Sequence, residues 1–489
     1  MLFTSSLFIL LFLPVFLAVY HLVPVGIHGK NLIALTSSLL FFSWGEPVFM
    51  VALVLFTLID YKVSLLITPN GPLGSKAKKR LLSFAISFDV LVLILSKYLT
   101  FFALEFDYFM NDGASVRNIP QFPLILGISF ITFHRISYLV DSYKGRTDPP
   151  RSFVDCALYI FLFPQLIAGP IIRYQDIGGQ IRMRSTDSSS FLCGFLRFFI
   201  GLAKKLVIAD PMGSLADRIF GLSPNGLPVE FAWGGALAYM LQIYFDFSAY
   251  SDMAIGLAKM MGFNFPENFN RPYISASITE FWRRWHISLT TWMRLYLYIP
   301  LGGNRGSNLR TYFNLWLVFL ISGLWHGASW NFLAWGAYFG FFLCIERLFS
   351  SNGLVADCVP YFLRLIYVLL IVIFGWVLFR SPTLPHALAF FSAMVSFNNV
   401  VPHIHVPWGT LFGRRDLVTM AFALALACTP MPLNVPAAVR MIQDIWFGRM
   451  NAPAPAVTTL QFALCVFLIL FCGAALVSSD YVPFLYFRF

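Results

Sequence analysis

The sequence predicts an all-α polytopic membrane protein, with about 11 transmembrane helices enclosing a core of short, broken or re-entrant helices. Three observations point there. Of the 489 residues, 58% are hydrophobic and only 12% charged, whereas a soluble domain runs at about 45–50% apolar and about 25% charged. Apolar runs approach the roughly 20 residues that a bilayer crossing needs, and they recur along the whole chain. Between them the basic residues sit in short clusters, the pattern of cytoplasmic loops. This composition excludes disorder, coiled coil, collagen-like repeat and secreted disulfide scaffold.

The net charge of +11 would suggest nucleic acid on a soluble protein. Here no soluble domain offers aromatic-plus-basic stretches to stack bases, so membrane lipid, not nucleic acid, is the expected partner. The seven cysteines show no CxxC or Cys/His spacing, which calls for neither a metal nor disulfides.

The first apolar run, residues 6–23, has no basic residue ahead of it and carries Pro14. A retained span fits better than a cleaved signal peptide, which needs a positive leading region. Further spans are expected over 31–44, 48–67, 81–104 and 122–140. Lys76, Lys78, Lys79 and Arg80 form one basic loop and Lys144, Arg146 and Arg151 another, with Glu105, Asp107, Asp112 and Arg117 between two crossings. Both basic loops are therefore expected in the cytoplasm, with the N-terminus outside and the turn at His28–Lys30 inside.

From residue 153 to 346 the apolar runs shorten, and Pro, Gly and charge interrupt them at 161–174, 244–257, 271–306 and 323–340. Interrupted backbone at membrane depth survives only when buried in protein or lining a wet cavity. The chain thus reads as one membrane-embedded domain over 1–489: N-terminal spans to 152, an irregular core over 153–346, and C-terminal spans over 347–489. In that last part, 363–379, 387–394, 417–428 and 458–477 are expected spans or part-spans, and 430–455 a loop with an interfacial segment.

An ionisable residue in a membrane segment costs several kcal/mol and is a functional candidate by default. His326 lies in LWHGASW beside Trp325, and Trp330, four residues on, is expected on the same helical face. The pairs Gly323/Gly327 and Gly336/Gly340 allow close backbone approach between helices, which packs the histidine deep. Burial disfavours the imidazolium, so this side chain is expected neutral and free to accept a proton, as a general base for acyl transfer requires. A core histidine bonded to a neighbouring carbonyl is the structural alternative. His286 lies in TEFWRRWHISL, where Ser277 and Glu280 form a capping-box pattern, so a helix is expected to start there and to carry Trp282 and His286 on one face. Arg283, Arg284, Arg294, Arg305 and Arg310 make this the most basic stretch. Two readings fit it equally: a cytoplasmic site for a phosphate-bearing donor such as a coenzyme A thioester, or an interfacial helix meeting lipid phosphates.

His403 and His405 sit in a Pro-flanked stretch that reads as a loop. Asp246 and Asp252, with Ser248 and Ser251 between them, suit either the lining of a hydroxyl-substrate path or, as the favoured reading, the termini of a broken helix. Lys204 and Lys205 read as an interfacial basic pair. No GxSxG nucleophile motif or P-loop is present.

FWRRWHISLTTWMRLYLYIPLGGNRG (281–306) followed by GLWHGASWNFLAWG (323–336) resembles the core of the membrane-bound O-acyltransferase superfamily, in its alginate O-acetyltransferase branch. LFPQLIAGPIIRY, YFDFSAYSDMAIG, NFNRPYISASITEFW, the opening MLFTSSLFILLFLPVFLAVY and the terminal YFRF carry the same resemblance. It implies a ring of helices around a thin core pierced by a central funnel. It makes His326 the catalytic histidine and His286 the second histidine of the RRWHxSL motif, with 153–346 as the catalytic core. Acetyl-CoA is then the expected cosubstrate, with Arg283, Arg284, Arg294, Trp285 and Trp325 as its expected contacts. The branch sits in the bacterial inner membrane and passes acetyl toward an exported polysaccharide, usually with a periplasmic partner of the SGNH-hydrolase type. Leu295 stands where the branch usually has an acidic residue, and His134 where it more often has another residue.

Rival readings are a transporter or channel for an acyl donor or anionic glycan, a scaffold for a periplasmic enzyme, or an acyltransferase for teichoic acid, peptidoglycan, lipid or protein. A transporter would be favoured by inverted repeats, and the two halves show none.

Overall fold

The computed structural model describes residues 1–111, 127–351, 359–396, 408–428, 455–478 and 484–485. A π-helical turn at Phe8–Phe12 runs into α1 (Leu13–Leu22), with Pro14 in the first turn where its missing N–H is harmless. Then come α2 (Ile27–Ser43), α3 (Pro47–Ile67), α4 (Ser75–Asn111) and α5 (Ile128–Tyr143). The start of the span expected at 122–140 lies outside the described residues. Helices α3 and α4 turn Val48, Leu55, Phe84 and Phe102 outward, as lipid-facing helices do.

The three helices α3, α4 and α5 are tied by one buried guanidinium. Arg135 on α5 lies 2.5 Å from the Asp60 carboxylate on α3 and 2.6 Å from Asp89 on α4, all three side chains almost wholly excluded from solvent. The two expected basic clusters meet at one end of the bundle, but only the second is a loop: Lys76, Lys78, Lys79 and Arg80 form the opening turns of α4. Lys78 donates to the Pro69 carbonyl at 2.8 Å, and Gly145 sits where a Cβ would lie 2.7 Å from the Pro69 ring. Lys30 lies over the Tyr20 ring, and Tyr20 donates to the Met261 carbonyl, which brings the 28–30 turn and the C-terminus of α10 to each other.

The core follows through α6 (Phe153–Phe161), α7 (Tyr174–Arg182), α8 (Ser188–Lys204), α9 (Asp210–Phe220) and α10 (Val229–Met260). Between α6 and α7 the Pro- and Gly-rich stretch is non-helical yet buried. Its backbone finds partners in the protein: the Phe163 amide donates to Ser38 and the Ile171 amide to Ser288, the condition for irregular chain at this depth. Helices α8 and α10 pack at backbone contact, because Gly194 and Gly256 face each other and a Cβ on either would stand 2.5–2.6 Å from the other's carbonyl oxygen.

Two expectations are corrected here. The stretch 244–257 is not interrupted but lies within the 32-residue α10, so Asp246 and Asp252 do not serve helix termini. Lys204 and Lys205 are not interfacial: they are buried at the α8–α10 seam, where Lys204 pairs with Asp252 at 2.6 Å and Lys205 with Asp246 at 2.7 Å and Asp210 at 2.6 Å. A mid-helix carboxylate beside a neighbouring helix's lysine is satisfied without any break.

Next come the short helices α11 (Ile278–Arg284) and α12 (Ile287–Met293), then α13 (Asn308–His326) and α14 (Trp330–Ser351) as an antiparallel hairpin. Gly323 and Gly336 face across it, their Cα and added-Cβ positions only 3.3 Å apart, so the paired small residues do permit close approach. The rest is α15 (Tyr361–Arg380), α16 (Leu384–Val395), α17 (Trp408–Leu411), α18 (Arg414–Cys428) and α19 (Pro455–Ser478). Most of the loop expected at 430–455, with His403, His405 and the terminal YFRF, lies outside the described residues. Among the described residues four helices, α3, α4, α14 and α15, are long and apolar enough to cross a membrane. These four do not by themselves make up the expected count of about 11; shorter apolar helices lie at Phe8–Leu22, Leu384–Val395 and Ala463–Leu476.

Candidate active site

His326 is the last residue of α13. The helix stops because Gly327 is fully extended and the Phe332 ring occupies the space of its Cβ, 2.2 Å from that position. The chain turns over 327–329 and restarts at Trp330. The expected shared face of His326 and Trp330 is therefore overturned: Trp330 is exposed and its indole donates to Glu105 at 3.0 Å. The imidazole instead meets Trp335 edge-on at 5.1 Å and Phe379 at 5.1 Å, and its ring nitrogens have no hydrogen-bond partner among the described residues.

The last carbonyls of any helix lack intrahelical donors. Here α4 supplies them. Tyr98 donates to the Leu324 carbonyl at 2.6 Å, and the Lys97 ammonium donates to the carbonyls of both Trp325 and His326. Lys97 also lies 5.9 Å from the Trp325 ring centre and makes no ion pair among the described residues. A cation at the C-terminal, negative end of a helix is favourably placed. At 1.5 Å per residue, Lys97 lies about 33 Å along α4 from the basic end at Ser75, so the tip of the hairpin is about one bilayer-core thickness from that end. Trp325 stacks on Phe133 at 5.2 Å, and Phe133 on Trp292 at 4.0 Å.

His286 also sits at a break, not along one helix face with Trp282 as expected. Ser277 caps α11 as its sequence indicates, accepting from the Glu280 amide at 3.0 Å, but the helix ends at Arg284. His286 is the N-cap of α12 with φ 44° and ψ 53°, a left-handed conformation that costs an L-residue roughly 1–2 kcal/mol. The segment before α11 holds it there. The Asn268 carbonyl accepts from the Ile287 amide at 2.9 Å, while the Asn268 side-chain oxygen faces His286 Nδ1 at 3.2 Å, the Ser288 amide at 3.2 Å and the Ser288 hydroxyl at 2.9 Å. His286 Nε2 is buried without a partner among the described residues.

The two breaks converge. His286 and His326 line one mostly apolar cavity together with Trp285, Phe247, Trp335, Trp376 and Phe379, and with Asp246, Phe484 and Leu485. Asp246 is held by Lys205 and by the Leu485 amide at 2.7 Å. The Trp335 indole N–H is buried with no acceptor among the described residues. A second, polar cavity of about 300 Å³ is lined by Arg197, Lys204, Asp252, Glu267 and Asn268. Asn268 thus contacts the second cavity while the ring it holds contacts the first. Such a site has the makings of a base-assisted group transfer: an apolar chamber, imidazoles with free nitrogens, and a spare donor.

Of the sequence-derived contacts, Trp285 lines the large cavity and Trp325 packs behind His326. The three arginines do not line it. Arg283 and Arg294 are exposed, and Arg284 binds Glu280 at 2.9 Å and the Asn270 carbonyl at 3.2 Å. Lys97, Tyr98, Asn268 and Trp335 were not anticipated. Lys97 had a usable signal, since it is a charge within the apolar run 81–104. Among the described residues no group of three or more His, Cys, Asp or Glu side chains is placed to hold a metal ion.

Comparison with known proteins gives the family. The family model of the membrane-bound O-acyltransferases matches residues 129–379, which include both histidine breaks. A probable alginate O-acetylase of Azotobacter vinelandii is 44% identical over 400 residues, covering 82% of this chain and 79% of the relative. Its counterpart in Pseudomonas putida is 38% identical over the full length of both chains. A peptidoglycan O-acetyltransferase of Helicobacter pylori is 36% identical over 434 residues, 82% of this chain and 81% of the relative. The chain belongs to the membrane-bound O-acyltransferase family.

Proposed function

We propose that the protein is an inner-membrane O-acetyltransferase that takes acetyl from cytoplasmic acetyl-CoA and passes it across the bilayer for O-acetylation of an exported or cell-surface polysaccharide. The observation that carries this reading is the convergence of His286 and His326 on one apolar cavity, in a chain whose relatives are named as O-acetylases. His326, its ring nitrogens free, takes the proton of an acceptor hydroxyl. The hydroxyl oxygen attacks the thioester carbonyl carbon, the carbon–sulfur bond breaks, and the thiolate recovers the proton to leave as free coenzyme A. The Trp335 indole N–H is the donor for the carbonyl oxygen as it gains charge. The arginines of 283–294 lie outside the cavity and serve as an outer landing surface for the phosphates of the donor. A periplasmic partner of the SGNH-hydrolase type completes the transfer to the polysaccharide.

The test uses inverted membrane vesicles from cells expressing the protein with its genomic neighbours, supplied with acetyl-labelled acetyl-CoA on the outer, cytoplasmic face. Label is expected in the lumenal protein or glycan fraction with wild type and not with His326→Ala at matched expression. Equal labelling in both would remove His326 from the chemistry. Absence of label in both would favour a transporter or scaffold.

A further inference from the structure

We propose that Asn268 is a positioning residue that holds His286 as its Nδ1–H tautomer, so that a bare Nε2 serves the cavity as a hydrogen-bond acceptor. The donors around Asn268 leave one assignment. The Ser288 backbone amide can only donate, and it faces the Asn268 side-chain oxygen at 3.2 Å. The Asn268 side-chain nitrogen is directed elsewhere, to the Ser251 hydroxyl at 3.1 Å. The atom facing His286 Nδ1 at 3.2 Å is therefore the carboxamide oxygen, which only accepts. Nδ1 must carry a proton. A neutral imidazole has one N–H, so Nε2 bears a lone pair.

A doubly protonated ring is not supported by its surroundings. Its neighbours include Asn268, the rings of Phe247, at 4.6 Å, and Trp325, at 6.4 Å, and across the cavity the imidazole of His326, and none of them is a free carboxylate. The cavity's carboxylate, Asp246, is engaged by Lys205 and the Leu485 amide. The clamp is also rigid. Asn268 bonds to three successive residues, 286, 287 and 288, across a left-handed backbone position. A buried acceptor with no protein donor is unfavourable until a ligand supplies one. Within the acetyl-transfer reading, on which the kinetic half of the test rests, that donor is the acceptor hydroxyl entering the cavity. His286 does not then donate to the carbonyl oxygen.

The tautomer is read without reference to activity. In histidine-¹⁵N-labelled protein in lipid vesicles at neutral pH, the imidazole signals lost in His286→Gln are expected to show a proton on Nδ1 and none on Nε2. A proton on Nε2 would overturn the assignment. For the kinetics, Asn268→Leu removes the acceptor and is expected to lower kcat about 100-fold with KM for acetyl-CoA little changed. Asn268→Asp, whose carboxylate also only accepts, should keep the tautomer and recover at least about tenfold of that loss. An Asn268→Leu protein that elutes as wild type and keeps wild-type kcat would sink the proposal. Should the Leu variant fail to fold, the wild-type and Asp spectra decide alone. Wild type with the expected tautomer but no acetyl transfer would reject the functional reading and leave the assignment of Asn268 standing.

Discussion

The two histidines reach the same cavity from two helix breaks built in opposite ways. At His326 the backbone is secured from outside: Lys97 and Tyr98 of α4 hold the final carbonyls of α13, and the ring is left without a bond. At His286 the ring itself is tied, through Nδ1 to Asn268, and the backbone is bent into a left-handed position by the same residue. A ring with both nitrogens free can change tautomer and turn as a proton moves. A ring fixed at one nitrogen presents a single acceptor in a single direction. Under the proposed function, this difference suits His326 to moving a proton and His286 to orienting a ligand.

The largest effect that would break this division is on His326. His326→Ala should reduce acetyl transfer by about 10³-fold or more, read as label transfer in inverted vesicles, since a positioned base contributes about 10²–10⁴. A His286→Ala loss that far exceeded the His326→Ala loss would reverse the roles. Next, Trp335→Phe keeps the ring that packs on His326 and deletes only the indole N–H. A fall in kcat of about 100-fold is expected from loss of one donor to the developing charge. Unchanged kcat in a folded Trp335→Phe protein would mean that this N–H never meets the carbonyl oxygen.

What could be read from the sequence follows from how local each feature is. The first basic cluster, expected as a loop, opens α4, whereas the helical membrane class and the segments that carry the two histidines were legible because each is carried by consecutive residues. Their surroundings were not. Lys97 meets His326 across 229 positions and Lys204 meets Asp252 across 48, and no periodicity encodes such meetings. Helical spacing misled twice for one physical reason. It placed Trp330 with His326 and Trp282 with His286, yet a break falls inside each interval, at Gly327 and at Trp285–His286. Pattern counting assumes an unbroken helix, and this site is made where helices stop. The reverse error occurred at 244–257, where charge suggested an interruption that the buried Lys204 and Lys205 make unnecessary.

Lys97 offers a sharper test of the outer clamp. Lys97→Met keeps the length of the side chain but leaves the Trp325 and His326 carbonyls without its donor. A drop in kcat of about tenfold is expected, the lower end of what supporting residues contribute, with acetyl-CoA KM little altered. Lys97→Arg should restore most of it, because a guanidinium can donate to both carbonyls. Loss of expression in both variants, with wild-type kcat in the fraction that folds, would reduce Lys97 to a packing role.

The smallest effect is expected at Leu295. Relatives of the branch that the sequence resembles usually carry an acid there, and Arg294 beside it is exposed and makes no ion pair among the described residues. Successive residues on a helix do not face each other, and Leu295 follows Arg294 directly in the π-helical turn Arg294–Tyr298. A new carboxylate at 295 would therefore not fold back on Arg294, and any pair it formed at this partly exposed position would be worth about 0–1 kcal/mol. Leu295→Asp should leave the cavity and both histidines untouched, shifting acetyl-CoA KM by less than about fivefold, the binding equivalent of that energy range. A change of tenfold or more in KM would place the 294–298 turn in the donor's path and extend the site from the buried histidines to the arginine surface.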